Sequence, residues 1–153
     1  MTLRLSVLDQ SIWTAGRGED HALRDTLDLA VHCESLGYSR FWVSEHHGLP
    51  TIVGSAPEIL LAAIAARTRT MRIRIAAVLP SLYHPLRLAE DFSVVDNLSN
   101  GRVIVLADVT GLDPAAAQED LDVVRRALGG RPIRHRGARW TIPAGLPEHD
   151  APD

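Results

Sequence analysis

The sequence predicts an α/β fold in which short strands alternate with helices and form a parallel sheet. Short apolar runs are each followed by a stretch of helical periodicity, which is typical of successive βα units. The runs recur about every 30 residues, the usual length of such a unit. The chain has 153 residues, 46% of them hydrophobic, which suits one domain with a buried core. Four units can be counted, so the fold is half of an eight-stranded barrel or a small doubly wound sheet.

The first two units occupy the N-terminal part of the chain. In the first unit, a strand at 3–8 precedes a helix at 20–36. In the second, a strand at 40–44 precedes a helix at 55–68. Asp20 and Gly37 are typical of the two ends of the first helix. Ser55 and Glu58 have the spacing of a capping box, which predicts the start of the second helix.

The third and fourth units follow the same plan. In the third unit, a strand at 72–79 precedes a helix that ends near 98. In the fourth, a strand at 103–107 precedes a helix between Asp113-Pro114 and Gly129-Gly130. Asp113 is a capping residue before a proline at the first helical position, and Asn100-Gly101 is a stop signal for the third helix. Beyond them we expect a short extended segment at 133–142 and a loose, acidic, proline-rich tail at 143–153. The chain therefore divides into a βα-repeat domain, 1–130, and a C-terminal segment, 131–153.

Composition excludes several classes of function. All 16 basic residues are arginine, so lysine Schiff-base chemistry and Walker-type phosphate binding are excluded. The net charge of −3 argues against a polyanion partner such as nucleic acid. Cys33 is the single cysteine, so no disulfide forms within the chain and we expect the thiol to pack in the core.

The chain is expected to be a soluble, cytoplasmic protein. No stretch approaches the roughly 18 uninterrupted apolar residues of a membrane span. The first residues, Met1-Thr-Leu-Arg-Leu, lack the layout of a signal peptide.

Polar residues follow every predicted strand, where ligands collect in folds of this class. Asp9 and Ser11 follow the first strand, Ser81 and His84 the third, and Asp108 and Thr110 the fourth. The alternative is that loops are polar in any case, which applies most to Asp9, Ser81 and Thr110. We assign Asp9, Ser11, Trp42 and His84 to a substrate pocket.

Glu45-His46-His47 is the most informative of these segments. It places two imidazoles and a carboxylate directly after a strand that contains tryptophan, and imidazoles carry protons near neutral pH. A structural histidine pair remains an alternative. Zinc is a weaker one, because neighbouring residues of an extended backbone point to opposite sides and no His-x-x-x-His spacing accompanies them. We expect no metal, and we predict that Glu45, His46 and His47 are catalytic.

Two common motifs are missing, and one basic segment stands out. The first predicted loop has no Gly-x-Gly-x-x-Gly, which disfavours nicotinamide binding. The sequence also lacks the Gly-x-Ser-x-Gly elbow of the hydrolases, which removes the hydrolase interpretation. The arginines beside Trp140 could contact nucleic acid, but a solvated strand is the preferred interpretation. They are Arg131, Arg134, Arg136 and Arg139.

Several segments resemble one family in order along the chain. They are Ser6-Val-Leu-Asp-Gln-Ser11, Leu36-Gly-Tyr-Ser-Arg-Phe-Trp-Val-Ser-Glu-His-His47, Ser55-Ala-Pro-Glu58, Ala77-Val-Leu-Pro80, His84-Pro-Leu-Arg-Leu-Ala-Glu90 and Asn100-Gly-Arg102. Together they are similar to the bacterial luciferase-like flavin monooxygenases.

The resemblance implies a (β/α)8 barrel that binds reduced flavin mononucleotide (FMN) and uses O2 to oxygenate a small organic substrate, here in a biosynthetic pathway. Some relatives use a deazaflavin instead. By motif, His46 matches the acid-base histidine of the family, with Glu45 and His47 as its neighbours. Ala76 and Ala77 match the strand that passes close to the flavin ring, and Asp108 falls near the flavin phosphate, where the family has a glycine-rich turn with an arginine.

Two other functions remain open. One is a flavin-independent acid-base enzyme on the same scaffold, such as a cyclase, isomerase or dehydratase. The other is a non-catalytic subunit that pairs with a full-length relative. A flavoenzyme would receive its reduced flavin from a separate reductase, a transient partner.

Four βα units are half of what the barrel requires. Such a half would expose two edges of a parallel sheet together with its apolar interior. We therefore expect oligomerisation to complete the barrel, by a homodimer or by a separate full-length partner.

Overall fold

The computed structural model describes residues 3–129 and 133–142, which form a parallel sheet with helices between consecutive strands. The strands are β1 (Ser6–Asp9), β2 (Arg40–Val43), β3 (Arg72–Val78) and β4 (Val103–Ala107). The helices are α1 (Glu19–Ser35), α2 (Pro57–Arg67), α3 (Pro85–Leu98) and α4 (Pro114–Leu128). The four predicted βα units are thereby confirmed. The strand order β1-β2-β3-β4 follows the chain, as in the wall of a barrel, whereas a doubly wound sheet reverses its order.

The two faces of the sheet have different environments. Phe41 and Ile73 pair across β2 and β3 and are both 0% exposed, in the core between sheet and helices. Because side chains alternate along a strand, their neighbours point the other way. We call this other side the inner face. It includes Leu8, Arg40, Trp42, Arg72, Arg74 and Ile104, which the strand register places in neighbouring rows.

A bulge interrupts β3 near its carboxyl end. Ala76 and Ala77 lie opposite the single residue Leu106 of β4, because the register shifts between Ile75 and Val78. Ile75 and Val78 are both 0% exposed on the core side, which requires one extra residue between them. Bulges of this kind redirect side chains and are common beside active sites.

The helix starts confirm one predicted cap and correct another. Asp113 caps α4 by accepting a hydrogen bond from the Ala116 N–H at 2.9 Å. The capping box predicted at Ser55 is wrong, because α2 begins at Pro57 and its cap is Ala56, with no side-chain hydrogen bond. Proline favours the first helical position, so Pro57 sets the start two residues beyond Ser55.

The cap predicted for α1 is also displaced. Asp20 lies inside the first turn, and Gly18 occupies the cap position without a side-chain hydrogen bond. At the other end Gly37 has a φ of 80°, the left-handed conformation expected of a glycine just after a helix.

Arg102 fastens the amino end of β3 to the helix layer. Its guanidinium donates to the carbonyls of Ala65, Thr68 and Met71 at 2.9–3.1 Å, and its Nε donates to the Ser99 carbonyl at 2.7 Å. These carbonyls end α2 and α3 or precede β3. The Asn-Gly-Arg segment is therefore a structural joint between two βα units.

The segment predicted to be extended forms a short hairpin. Its strands are β5 (His135–Arg136) and β6 (Thr141–Ile142). The Glu119 carboxylate of α4 accepts from the backbone N–H groups of residues 138–140 at 3.0–3.2 Å. The hairpin therefore binds to α4.

Asp120 of α4 makes a second connection to the hairpin. It is 2% exposed and accepts from Arg139 at 2.7 Å and from the Trp140 indole at 2.6 Å. Arg131, the domain boundary at 130 and the predicted tail, 143–153, lie outside the described residues. Within the described part, no helix combines the length and apolar character that a membrane crossing requires.

Candidate functional site

Glu45 joins the loops that follow β2 and β3. Its side chain is 0% exposed. Oε1 accepts from the Tyr83 hydroxyl at 2.8 Å and lies 2.7 Å from Nε2 of His47, while Oε2 accepts from the Leu79 N–H at 2.9 Å. A buried carboxylate needs such partners. Glu45 thus holds the carboxyl ends of two neighbouring strands together.

Tyr83 belongs to this site and is absent from the sequence prediction. Burial raises its pKa above the ordinary tyrosine value, and the hydrogen bond and negative charge of Glu45 raise it further, as does Glu58. The phenol is therefore a neutral donor to Glu45. Tyr83 could have been identified from the sequence, because it lies between Ser81 and His84 in the loop that follows the third predicted strand.

His46 points its ring toward the loop that follows β1. Its backbone N–H donates to the Gly54 carbonyl at 3.0 Å, and its Nε2 lies 3.4 Å from the Gln10 amide nitrogen. When Gln10 donates in this contact, His46 accepts as a neutral imidazole. Within the described residues, no carboxylate binds its ring, and its catalytic role stays a prediction.

His47 has a different environment from His46. Its ring contacts Glu45, and 40% of its side chain is exposed. The buried carboxylate therefore orients His47, as a carboxylate orients the imidazole in many acid-base sites. The two adjacent histidines point to different partners, as their separate positions on an extended backbone predict.

Asp9 and Ser11 bind α1. The Asp9 carboxylate accepts from the Thr26 hydroxyl and from the Ser11 N–H, and Ser11 Oγ lies 2.9 Å from Thr26 Oγ1. Ser11 and Thr26 are 2% and 1% exposed. A cleft of about 480 Å³ that includes Asp9 also lies against α1. The Ser11 carbonyl also accepts from the Val53 N–H at 3.1 Å, in the loop that follows β2. The assignment of Asp9 and Ser11 to a substrate pocket stays a prediction.

Trp42 lies on the inner face and contacts a cation there. The Arg74 guanidinium carbon lies 5.0 Å from the centroid of the Trp42 ring, within the range of a cation–π interaction. Trp42 is paired with Arg74 across β2 and β3. Its assignment to a substrate pocket stays a prediction.

His84 lies at the start of α3, at the N-cap position. Its ring packs edge-on against Trp140 of the hairpin, with 4.5 Å between the ring centroids. His84 therefore forms part of a contact between α3 and the C-terminal hairpin.

Ala76, Ala77 and Asp108 lie along the carboxyl ends of β3 and β4. The two alanines form the bulge, and the Asp108 N–H donates to the Val78 carbonyl at 2.8 Å. Hydrogen bonds from Thr110 lower the pKa of Asp108, with 2.8 Å between the Thr110 N–H nitrogen and Oδ1. This edge of the site carries small apolar groups beside one negative charge.

Within residues 3–129 and 133–142, no group of three or more His, Cys, Asp or Glu side chains converges as a cation site. The absence of a metal stays a prediction.

Known proteins are similar to this chain in sequence. Residues 4–107 match the family described as luciferase-like monooxygenase. The uncharacterized protein YwcH of Bacillus subtilis is 43% identical over 141 residues, which cover 92% of this chain and 36% of YwcH. N-acetyl-S-alkylcysteine monooxygenase of the same organism is 43% identical over 101 residues, 66% of this chain and 30% of the relative.

A solved structure shares the fold. It is the oxygenating constituent of 3,6-diketocamphane monooxygenase from Pseudomonas putida, a type II Baeyer-Villiger monooxygenase in complex with FMN. The TM-score is 0.74 at 24% identity, and the match covers 97% of this chain and 45% of the other. The chain thus spans less than half the length of these relatives. It belongs to the luciferase-like monooxygenase family and contains four consecutive βα units of that family's barrel.

Proposed function

We propose that this chain provides the proton-transfer and ring-facing part of a monooxygenase that uses reduced FMN and O2 to oxygenate a small organic substrate. One arrangement carries the proposal. The half-buried His46 follows β2, and the bulged Ala76–Ala77 pair lies near the end of the neighbouring strand β3. Family membership and the monooxygenase names of relatives support it.

The residues at this edge fit the ring of FMN better than its phosphate. Methyl side chains at Ala76 and Ala77, turned out of the regular alternation by the bulge, leave room for a flat ring to approach β3. Asp108, with its lowered pKa, carries a negative charge that disfavours a nearby phosphate. The phosphate contacts would therefore come from further βα units, such as the longer relatives contain.

Each residue of the cluster has its own role in the proposal. When bound, reduced flavin supplies the electrons that activate O2, and a separate reductase would deliver it. His46 exchanges a proton with the bound ligand through its ring nitrogens, and Gln10 orients that ring. Glu45 and Tyr83 are positioning residues, because they hold the loops after β2 and β3 at fixed separation and fix the ring of His47.

Anaerobic titration with reduced FMN tests the proposal. We expect a change in the flavin absorbance spectrum and a higher unfolding temperature of the protein, since a ligand that binds the folded state stabilises it. Reduced riboflavin, which lacks the phosphate, is the control, and we expect it to act through the same ring contacts. If neither flavin perturbs the spectrum or the unfolding temperature, the proposed cofactor is wrong.

The second candidate is a flavin-independent acid-base enzyme, favoured by the negative charge at Asp108. It would use Glu45, His46, His47 and Asp108 around a small-molecule pocket. Turnover that persists without oxygen and flavin, and that His46→Ala abolishes, selects this function. A non-catalytic subunit is the third candidate, and it predicts that His46→Ala and His47→Ala leave the host pathway intact.

We also propose that further βα units cover the inner face. The described sheet has two edge strands, β1 and β4, and exposed apolar residues such as Leu8 and Leu106. The sequence predicts two sources of the missing strands, a homodimer and a full-length relative. Measurement of the solution mass with and without reduced flavin reports assembly and ligand binding together.

A further inference from the structure

Three arginines lie together on the inner face. Arg40 and Arg72 are direct partners across β2 and β3, and Arg74 follows two residues later in β3. Within the described part of the chain, no carboxylate lies within ion-pair distance of them, since every ion pair there involves other residues. The amino half of the inner face is therefore positively charged.

Arg74 has a buried donor. Its Nε is buried, and no residue of the described ranges accepts a hydrogen bond from it. Its guanidinium lies 5.0 Å from the Trp42 ring, which shields one side from water. Burial, followed by the charges of Arg40 and Arg72, lowers its pKa. A buried donor of a charged group calls for an acceptor, and a carboxylate matches the guanidinium geometry.

Three acidic residues near these strands are already hydrogen-bonded. Glu34, which lines a surface cleft with Arg40 and Arg72, accepts from the backbone N–H groups of Arg69, Thr70 and Met71. Asp108 lies beyond the opposite, carboxyl end of β4 and accepts from Thr110. Asp9 faces the helix layer and accepts from Thr26. The rest of the inner face is largely apolar, with Leu8 56% and Leu106 45% exposed. An exposed apolar surface of this kind is stable when another protein surface packs against it. That surface must also balance the positive charge of the arginines.

A second copy of this chain would bring the same three arginines into a shared interior. Like charges brought together in a desolvated interior repel and lack counter-ions. We propose that the inner face docks against βα units that present carboxylates opposite Arg40, Arg72 and Arg74, and that it disfavours a second copy. This inference goes beyond the proposed oxygenase activity and does not depend on flavin binding.

A charge-swap experiment uses the chain as its own partner. The variant R40E/R72E/R74E carries carboxylates on the inner face, and native mass spectrometry at low salt measures its association with wild type. The matched control, R24E/R87E/R125E, makes the same change in charge on helix surfaces, where these side chains are 74%, 70% and 69% exposed. We expect wild type to bind the inner-face variant at least tenfold more tightly than it binds itself or the control, and salt to weaken the complex.

Each other outcome overturns the proposal. It is wrong if wild type self-associates as tightly as the mixture, if the control variant binds equally well, or if the mixture does not associate. Circular dichroism checks that the variants fold. R40E/R72E, which keeps the Arg74–Trp42 contact, is the second variant if the triple one does not fold, and the same comparison applies to it.

Discussion

The Tyr83 hydroxyl donates a hydrogen bond to Oε1 of Glu45 at 2.8 Å, and this bond joins the loops after β3 and β2. The same carboxylate is fully buried and also accepts from the Leu79 N–H. Its oxygens therefore accept from donors on neighbouring segments. Loss of any one donor leaves part of a buried charge unsatisfied.

Tyr83→Phe removes one of these donors and keeps the ring. We expect the free energy of unfolding to fall by about 1–3 kcal/mol, the usual cost of an unsatisfied buried group. Urea denaturation measures it. Tyr38→Phe is the control, because its hydroxyl makes no hydrogen bond among the described residues, and we expect a change within about 0.5 kcal/mol. Equal stability of the two variants would show that the Tyr83 bond does not hold the loops.

His46→Gln and His47→Gln separate the roles of the two histidines. If His46 exchanges the proton, its replacement lowers the rate of the oxygen-dependent reaction by about 10²–10⁴-fold and changes the pH profile of that rate. His47→Gln keeps a side chain that can donate to Glu45, so its effect should be smaller. Stopped-flow oxidation of reduced flavin across a pH series measures both. A pH profile of His46→Gln that matches wild type would exclude His46 as the proton carrier.

Ala76→Leu tests the ring-facing surface. The longer side chain occupies the space beside β3, so we expect the affinity for reduced FMN to fall at least tenfold, which corresponds to about 1.4 kcal/mol. Ala115→Leu makes the same change at an exposed position of α4 and should leave the affinity unchanged. Fluorescence titration under anaerobic conditions measures both. Unchanged binding by Ala76→Leu would place the ring elsewhere.

Glu34 is expected to make the free energy of unfolding fall as the solution becomes acidic. Burial alone would raise the pKa of this carboxyl, but hydrogen bonds from the backbone N–H groups of Met71, Thr70 and Arg69 outweigh it and lower the pKa below its ordinary value of 4.5. A lowered pKa means that the folded state favours the ionised form. Its stabilising effect is therefore full above that ordinary value and is lost as the pH falls through the lowered one.

Glu34→Gln should accordingly destabilise the protein near neutral pH and matter less in acid. Thermal unfolding between about pH 6 and pH 3 measures the difference from wild type, which we expect to shrink as the pH falls. Glu90→Gln, at an exposed position of α3, is the control and should show no such trend. A constant difference across this range would contradict the assigned role.

Most of the fold could be predicted from local pattern. The apolar runs and helical stretches locate every strand and helix of the four units within a few residues, because burial against one layer of helices imposes these periods. The error at Ser55 arose because two start signals overlap, and the proline constraint at Pro57 outweighs the capping box. Such competition is local and can be recognised in advance.

The site was less accessible to this reasoning, because it depends on contacts between loops of different units. Tyr83 meets Glu45 only when the ends of β2 and β3 lie side by side, and no spacing along the chain reveals that contact. The direction of Asp9 was predictable, however. It lies two residues after Val7, which pairs with the buried Phe41, so alternation already directs its carboxylate to the helix side.

The strand β3, which carries Ala76 and Ala77, is held at both ends by side chains of opposite charge. Before β3, the Arg102 cation binds the Met71 carbonyl, and after it the Glu45 anion binds the Leu79 N–H. Each charge satisfies the backbone group that a strand end leaves without a partner. The strand therefore cannot slide along its axis without breaking a charge-assisted bond at one end. A ligand that binds against Ala76 would therefore contact a backbone whose position along the strand axis is fixed. Any movement of this backbone toward the ligand would have to occur in the bulge.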